Sequence, residues 1–77
     1  MAFSKKIKLA LLKGGKTATW SELAPLYGVS TRYVGKKING GKLSASELIQ
    51  TAEYCGCELA FVFPNGDTVT LDKTDLV

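Results

Sequence analysis

Histidine is absent from this 77-residue chain, which therefore lacks both the side chain that most readily exchanges a proton at neutral pH and the commonest metal ligand. Cysteine is scarce: only Cys55 and Cys57, one residue apart. An intrachain disulfide across so short a loop would be strained, and two thiols are too few for a zinc site. Both are expected to be reduced and partly buried. No paired carboxylates suggest acid–base chemistry, and Gly14-Gly15-Lys16 lacks the spacing of a phosphate-cradling loop. A chain this small has little room to enclose a pocket. No enzyme activity, cofactor or small-molecule ligand is expected. Long apolar runs are missing too, so no segment reaches the roughly 20 residues of a membrane-spanning helix. The apolar stretch near the N-terminus is interrupted by Lys8 and Lys13, unlike the uninterrupted core of a secretory signal. A cytoplasmic protein is the expectation.

Acidic residues are nearly missing from one part of the chain. Residues 1–46 hold nine basic groups and a single acid, Glu22, for a net +8. Residues 47–77 hold one base, Lys73, and six acids, for a net −5. The overall +3 conceals this division. So one-sided a distribution points to a polyanionic partner for the first part.

Apolar spacing and stop signals predict four helices. The first is expected from a Ser4 cap to Gly14-Gly15, with Ile7, Ala10 and Leu11 as its apolar stripe. Thr19-Trp20-Ser21-Glu22 reads as a capping box opening a second helix, which continues through Leu23, Ala24 and Tyr27 to Gly28. Pro25 lies inside that helix, beyond its first turn, where it would remove one hydrogen bond and favour a kink. Ser30 is expected to cap a third helix, from Thr31 to about Ile38, with Val34 and Ile38 facing inward. Ser44-Ala45-Ser46-Glu47 is a second capping box, opening a fourth helix that stops before Gly56.

The period then changes. Residues 57–63 and 68–72 are β-rich, and Asn65-Gly66 between them signals a hairpin with a two-residue loop. That loop would pair Phe63 with Thr68, Val62 with Val69, Phe61 with Thr70 and Ala60 with Leu71. Leu59, Phe61, Phe63, Thr68 and Thr70 would then share one face, and both faces would be largely apolar. A helical layer covers only one of them, so the other is the expected dimer interface. Residues 73–77 read as a frayed tail. A domain of this size buries only about 60% of the surface its unfolded chain exposes, so a second copy would help to stabilise it. Residues 1–77 are read as one mostly α (α+β) domain: a helical core over 4–56, then a hairpin over 57–72.

Residues 19–39 contain two short helices joined by a tight glycine turn, the helix-turn-helix arrangement. Small Ala24 suits a close helix crossing. Leu23, Val29 and Val34 would fill the wedge between the helices. Together with its flanking helices, this stretch resembles the Cro/phage-repressor (XRE-type) helix-turn-helix family. The resemblance rests on E-L-A at 22–24, G-V-S at 28–30, Val34, N-G at 39–40 and S-x-S-E-L-I at 44–49, and covers residues 5–56. The ending G-C-E-L-A-F-V-F-P-N-G-D is similar to that of small bacterial, often mobile-element, members.

The resemblance implies a four-helix repressor-like core that binds double-stranded DNA sequence-specifically as a homodimer, for transcriptional control. By position it implies a recognition helix presenting Ser30, Thr31, Arg32, Tyr33, Lys36 and Lys37. Arg32 suits bidentate guanine contact, and Thr31 and Tyr33 suit base or methyl contacts. Lys36, Lys37, Lys16 and Lys42 suit phosphates. Thr19, Trp20 and Ser21, at the start of the preceding helix, could hold a phosphate through N–H and hydroxyl groups. Trp20 stands where the family often has Gln. Gly35 would either weaken the recognition helix or admit DNA close to its backbone. Lys37 occupies a position that is often apolar, and Ile38 is expected to take over its packing. The competing reading is a protein-binding module on the same scaffold, antitoxin-like or a phage inhibitor or adaptor.

Overall fold

The computed structural model describes residues 2–76. Four α-helices are followed by a two-stranded antiparallel hairpin, so the fold is mostly α with a small β element. Helix α1 spans Phe3–Lys13, α2 Ala24–Tyr27, α3 Thr31–Asn39 and α4 Ala45–Cys55; strands β1 and β2 span Leu59–Val62 and Thr68–Leu71. Ile7 and Leu11 of α1, Leu23, Val34 and Ile38 of α3, and Cys55 of α4 form one buried cluster. Ala10, Ala24 and Val29 pack around it, so the expected stripe and wedge are both present. None of the described helices is long and apolar enough to cross a membrane.

Helix α1 begins earlier than expected. Ala2 precedes it, and the Ala2 carbonyl accepts from the N–H groups of Lys5 and Lys6. Ser4 therefore lies inside the first turn and caps nothing, because no breaker at Ala2 or Phe3 stops the ladder from including them. The expected second helix is split. Trp20–Glu22 form a 3-10 turn, and α2 proper starts only at Ala24. Pro25 is the cause: having no N–H, it cannot donate to the Ser21 carbonyl, so the ladder breaks and restarts. It then falls in the first turn of α2, where a missing N–H goes unused. Gly28 closes α2 at φ 69°, the left-handed conformation expected of it.

The expected Thr19–Glu22 capping box is present and opens the 3-10 turn, and the caps at Ser30 and Ser44 form as well. Ser30 Oγ accepts from the Tyr33 N–H at 3.2 Å. At α4 the box is reciprocal: Ser44 Oγ accepts from the Glu47 N–H, and a Glu47 carboxylate oxygen accepts from the Ser44 N–H.

The hairpin forms with a register one residue away from expectation. Leu59 pairs with Leu71, Ala60 with Thr70, Phe61 with Val69 and Val62 with Thr68. The loop holds three residues, Pro64-Asn65-Gly66: the Gly66 N–H donates to the Phe63 carbonyl and the Phe63 N–H to that of Asp67. Pro64 presets the turn one residue before Asn-Gly could, and Gly66 supplies the left-handed residue at φ 93°. The Asn65 side chain accepts from the Asp67 N–H and holds the bend.

The slip corrects the expected interface face. Thr68 and Thr70 pair with Val62 and Ala60, on the opposite side from Leu59, Phe61 and Phe63; Val69 and Leu71 take their place. Leu59 and Leu71 line a groove with Ile49 and Ala52 of α4, whereas Phe61, Phe63 and Val69 remain exposed. The expected frayed tail is a 3-10 turn over Lys73–Leu76, tied by the Asp72 carboxylate, which accepts from the Thr74 N–H. Val77 lies outside the described residues.

Candidate nucleic-acid interface

Helix α3 turns about 100° per residue, so the buried Val34 and Ile38 define its inner face and leave Arg32, Tyr33 and Lys36 on the outer side. All three are exposed, as are Ser30 and Thr31 at the capped end. Tyr33, Lys36, Lys37, Gly40 and Lys42 line one open groove beside the helix. Lys42 reaches it because Gly40 and Gly41 turn the chain back along α3, placing the Lys42 stem 3.6 Å from the site a Gly40 Cβ would occupy. No acidic residue occurs from 23 to 46.

Lys37 departs from its expected role. Its ammonium pairs with the Glu47 carboxylate, and its side chain is mostly covered. Glu47 is itself buried. Burial alone would raise its pKa, but hydrogen bonds from Lys37 and the Ser44 N–H outweigh that, and the net shift is downward. Lys37 thus neutralises a buried carboxylate between α3 and α4, instead of standing free for a phosphate. Ile38 is fully buried, as expected.

Lys16 is also engaged elsewhere. Its Nζ lies 4.5 Å from the centre of the Tyr54 ring, in the last turn of α4, and it takes no part in lining the groove beside α3. Tyr54 in turn donates its hydroxyl proton to Glu22 at 2.8 Å. The Thr19 N–H donates to the other Glu22 oxygen at 3.2 Å, so that amide is already occupied by a carboxylate. Thr19 and Ser21 remain exposed, with their hydroxyls 3.0 Å apart.

Trp20 is half-buried and packs against α3: its Cδ1 lies 3.4 Å from where a Gly35 Cβ would be. The close neighbour of Gly35 is therefore an indole of the chain's own. Lys8 of α1 sits over the same ring, 5.1 Å from its centre. Lys8 stays exposed, and the docking of α1 beside the 3-10 turn brings it to the flank of α3, which no local pattern announces.

The hydrogen bond between half-buried Tyr27 and buried Thr51 was likewise not foreseen. Thr51 Oγ1 donates to the Glu47 carbonyl, so the Tyr27 hydroxyl donates to Thr51 and links α2 to α4. Cys55 is buried and Cys57 exposed, both as free thiols. Burial pushes the Cys55 pKa up, so this thiol is no activated nucleophile. The described residues contain no group of three His, Cys, Asp or Glu placed to hold a metal.

The arrangement offers one chemistry clearly. A convex helix with a guanidinium, a phenol and an ammonium on its outer side, flanked by further lysines, is suited to a polyanionic groove. No protein-family model, curated protein or solved structure matches this chain.

Proposed function

We propose that this chain is a sequence-specific double-stranded DNA-binding protein, a transcriptional repressor that lays α3 in the major groove and acts as a homodimer. One observation carries the reading: Arg32, Tyr33, Lys36 and Lys42 are exposed around α3, and the nearby carboxylate of Glu47 is already tied to Lys37. Arg32 on the outer side, in the first turn after the Ser30 cap, reads a guanine edge. Lys36 and Lys42 hold phosphates beside it, and Lys8 extends the cationic flank along Trp20. A second copy presents a second α3, so a paired site would repeat at about 34 Å, one helical turn of DNA.

The test is selection of bound sequences from random duplex DNA, followed by mobility shifts of the winner. Arg32→Ala is expected to weaken binding by about 1–3 kcal/mol and to relax preference at one base position. Equal loss on every sequence would make Arg32 a phosphate contact. Failure to enrich any sequence, with no affinity for duplex DNA at low salt, overturns the reading in favour of a protein partner.

A further inference from the structure

We propose that the chain self-associates through unlike surfaces: the exposed apolar face of the hairpin of one copy packs on the outer face of α1 of another. Two faces of this fold are apolar and uncovered. On the hairpin, Phe61, Phe63 and Val69 are 60%, 48% and 52% exposed. On α1, Leu9 and Leu12 are 42% and 58% exposed, and lie away from the buried Ile7 and Leu11. Apolar faces of this kind are commonly closed by a helix laid on a sheet.

Charge decides which face meets which. The α1 sequence carries Lys5, Lys6, Lys8 and Lys13 and no acid, for a net +4. Residues 58–72, which build the hairpin, carry Glu58, Asp67 and Asp72 and no base, for a net −3. All seven of these charged residues are exposed. Two hairpins packed together would set −3 against −3, and two α1 helices +4 against +4. Of the three pairings, only hairpin on α1 brings together elements of opposite net charge, and like-charge contact disfavours the other two. Two such contacts exchanged about a two-fold axis close a dimer. Arg32, Lys36 and Lys42 belong to neither surface; Lys8 alone is shared with the proposed DNA flank, and the inference is tested without DNA.

The experiment is sedimentation velocity on the full chain over a concentration series, with Leu9→Glu and Phe61→Asp as variants. Both positions are exposed, and circular dichroism checks their folding; Leu12→Glu replaces Leu9→Glu if that variant misfolds. The unmodified chain is expected to associate, and each variant alone to lose at least about ten-fold in association constant. Their equimolar mixture is expected to recover a two-chain species, because the intact hairpin of one variant meets the intact α1 of the other. Association should also weaken roughly ten-fold as salt rises from about 0.05 to about 0.5 M and the Debye length contracts. A monomeric unmodified chain, a Leu9→Glu variant that associates undiminished, a mixture that stays monomeric, or salt-insensitive association would each overturn the proposal.

Discussion

Two neighbouring lysines on α3, identical in type, have different physical roles. Lys36 is exposed, whereas Lys37 is held against the buried Glu47. Lys37→Ala would leave that carboxylate covered and short of a donor, and is expected to lower stability by about 1–2 kcal/mol, with little change in DNA affinity. Lys36→Ala should do the reverse. Urea titrations and mobility shifts on the same two proteins separate the effects. The same carboxylate predicts an acid limit. Its folded pKa lies below that of the unfolded chain, so its contribution to stability is complete above the usual glutamate value of about 4.3 and is lost as pH falls through the folded value. Glu22, desolvated but held down chiefly by the Tyr54 hydroxyl, acts in the same direction. The urea midpoint should be nearly flat from pH 7 to about 5 and fall below that. Glu47→Gln should start lower and fall less.

At the scale of elements, the closest constraint is between the ends of α1 and α4. A Cβ at Gly14 would lie 2.4 Å from the Cys55 carbonyl oxygen and 2.9 Å from its Cα. Both are backbone atoms, which cannot rotate aside as a side chain could. Gly14→Ala is therefore expected to cost about 1–3 kcal/mol through enforced separation of the two helices, read as a lower urea midpoint at unchanged slope. Gly14 was legible in the sequence only as a stop signal; its role as a contact depends on where α4 ends. The hairpin teaches a related lesson. Asn65-Gly66 marked its position well, but Pro64 decided the loop length and hence the register, moving Val69 and Leu71 to the face expected to hold Thr68 and Thr70. In the same way Pro25 revealed that the second helix was interrupted, while where the break fell depended on the 3-10 turn before it.

Over the whole molecule, the division of charge along the sequence is a division by element: cations on α1 and around α3, acids on α4, the hairpin and the turn that follows it. DNA binding through about four to six phosphates should fall with salt at a log–log slope near −0.9 for each. Loss of Lys36 or Lys42 should make that slope shallower by about one contact apiece, and loss of Lys16, which lies over Tyr54, should leave it unchanged. Competition and mobility-shift assays at several salt concentrations measure all three.

Local chemistry sufficed for the four helices, the caps at Ser30 and Ser44, the left-handed turn at Gly28 and the lopsided charge, because each depends on residues within a few positions of one another. It also sufficed to expose Arg32 and Lys36, since helical periodicity places them opposite Val34 and Ile38. Only the packed chain decided that Lys37 would be used up on Glu47, Lys16 drawn to Tyr54, Lys8 brought to Trp20, and α1 pressed against the end of α4. Those contacts join residues far apart in sequence, and their partners are set by how the helices cross, a geometry that no short window of residues contains.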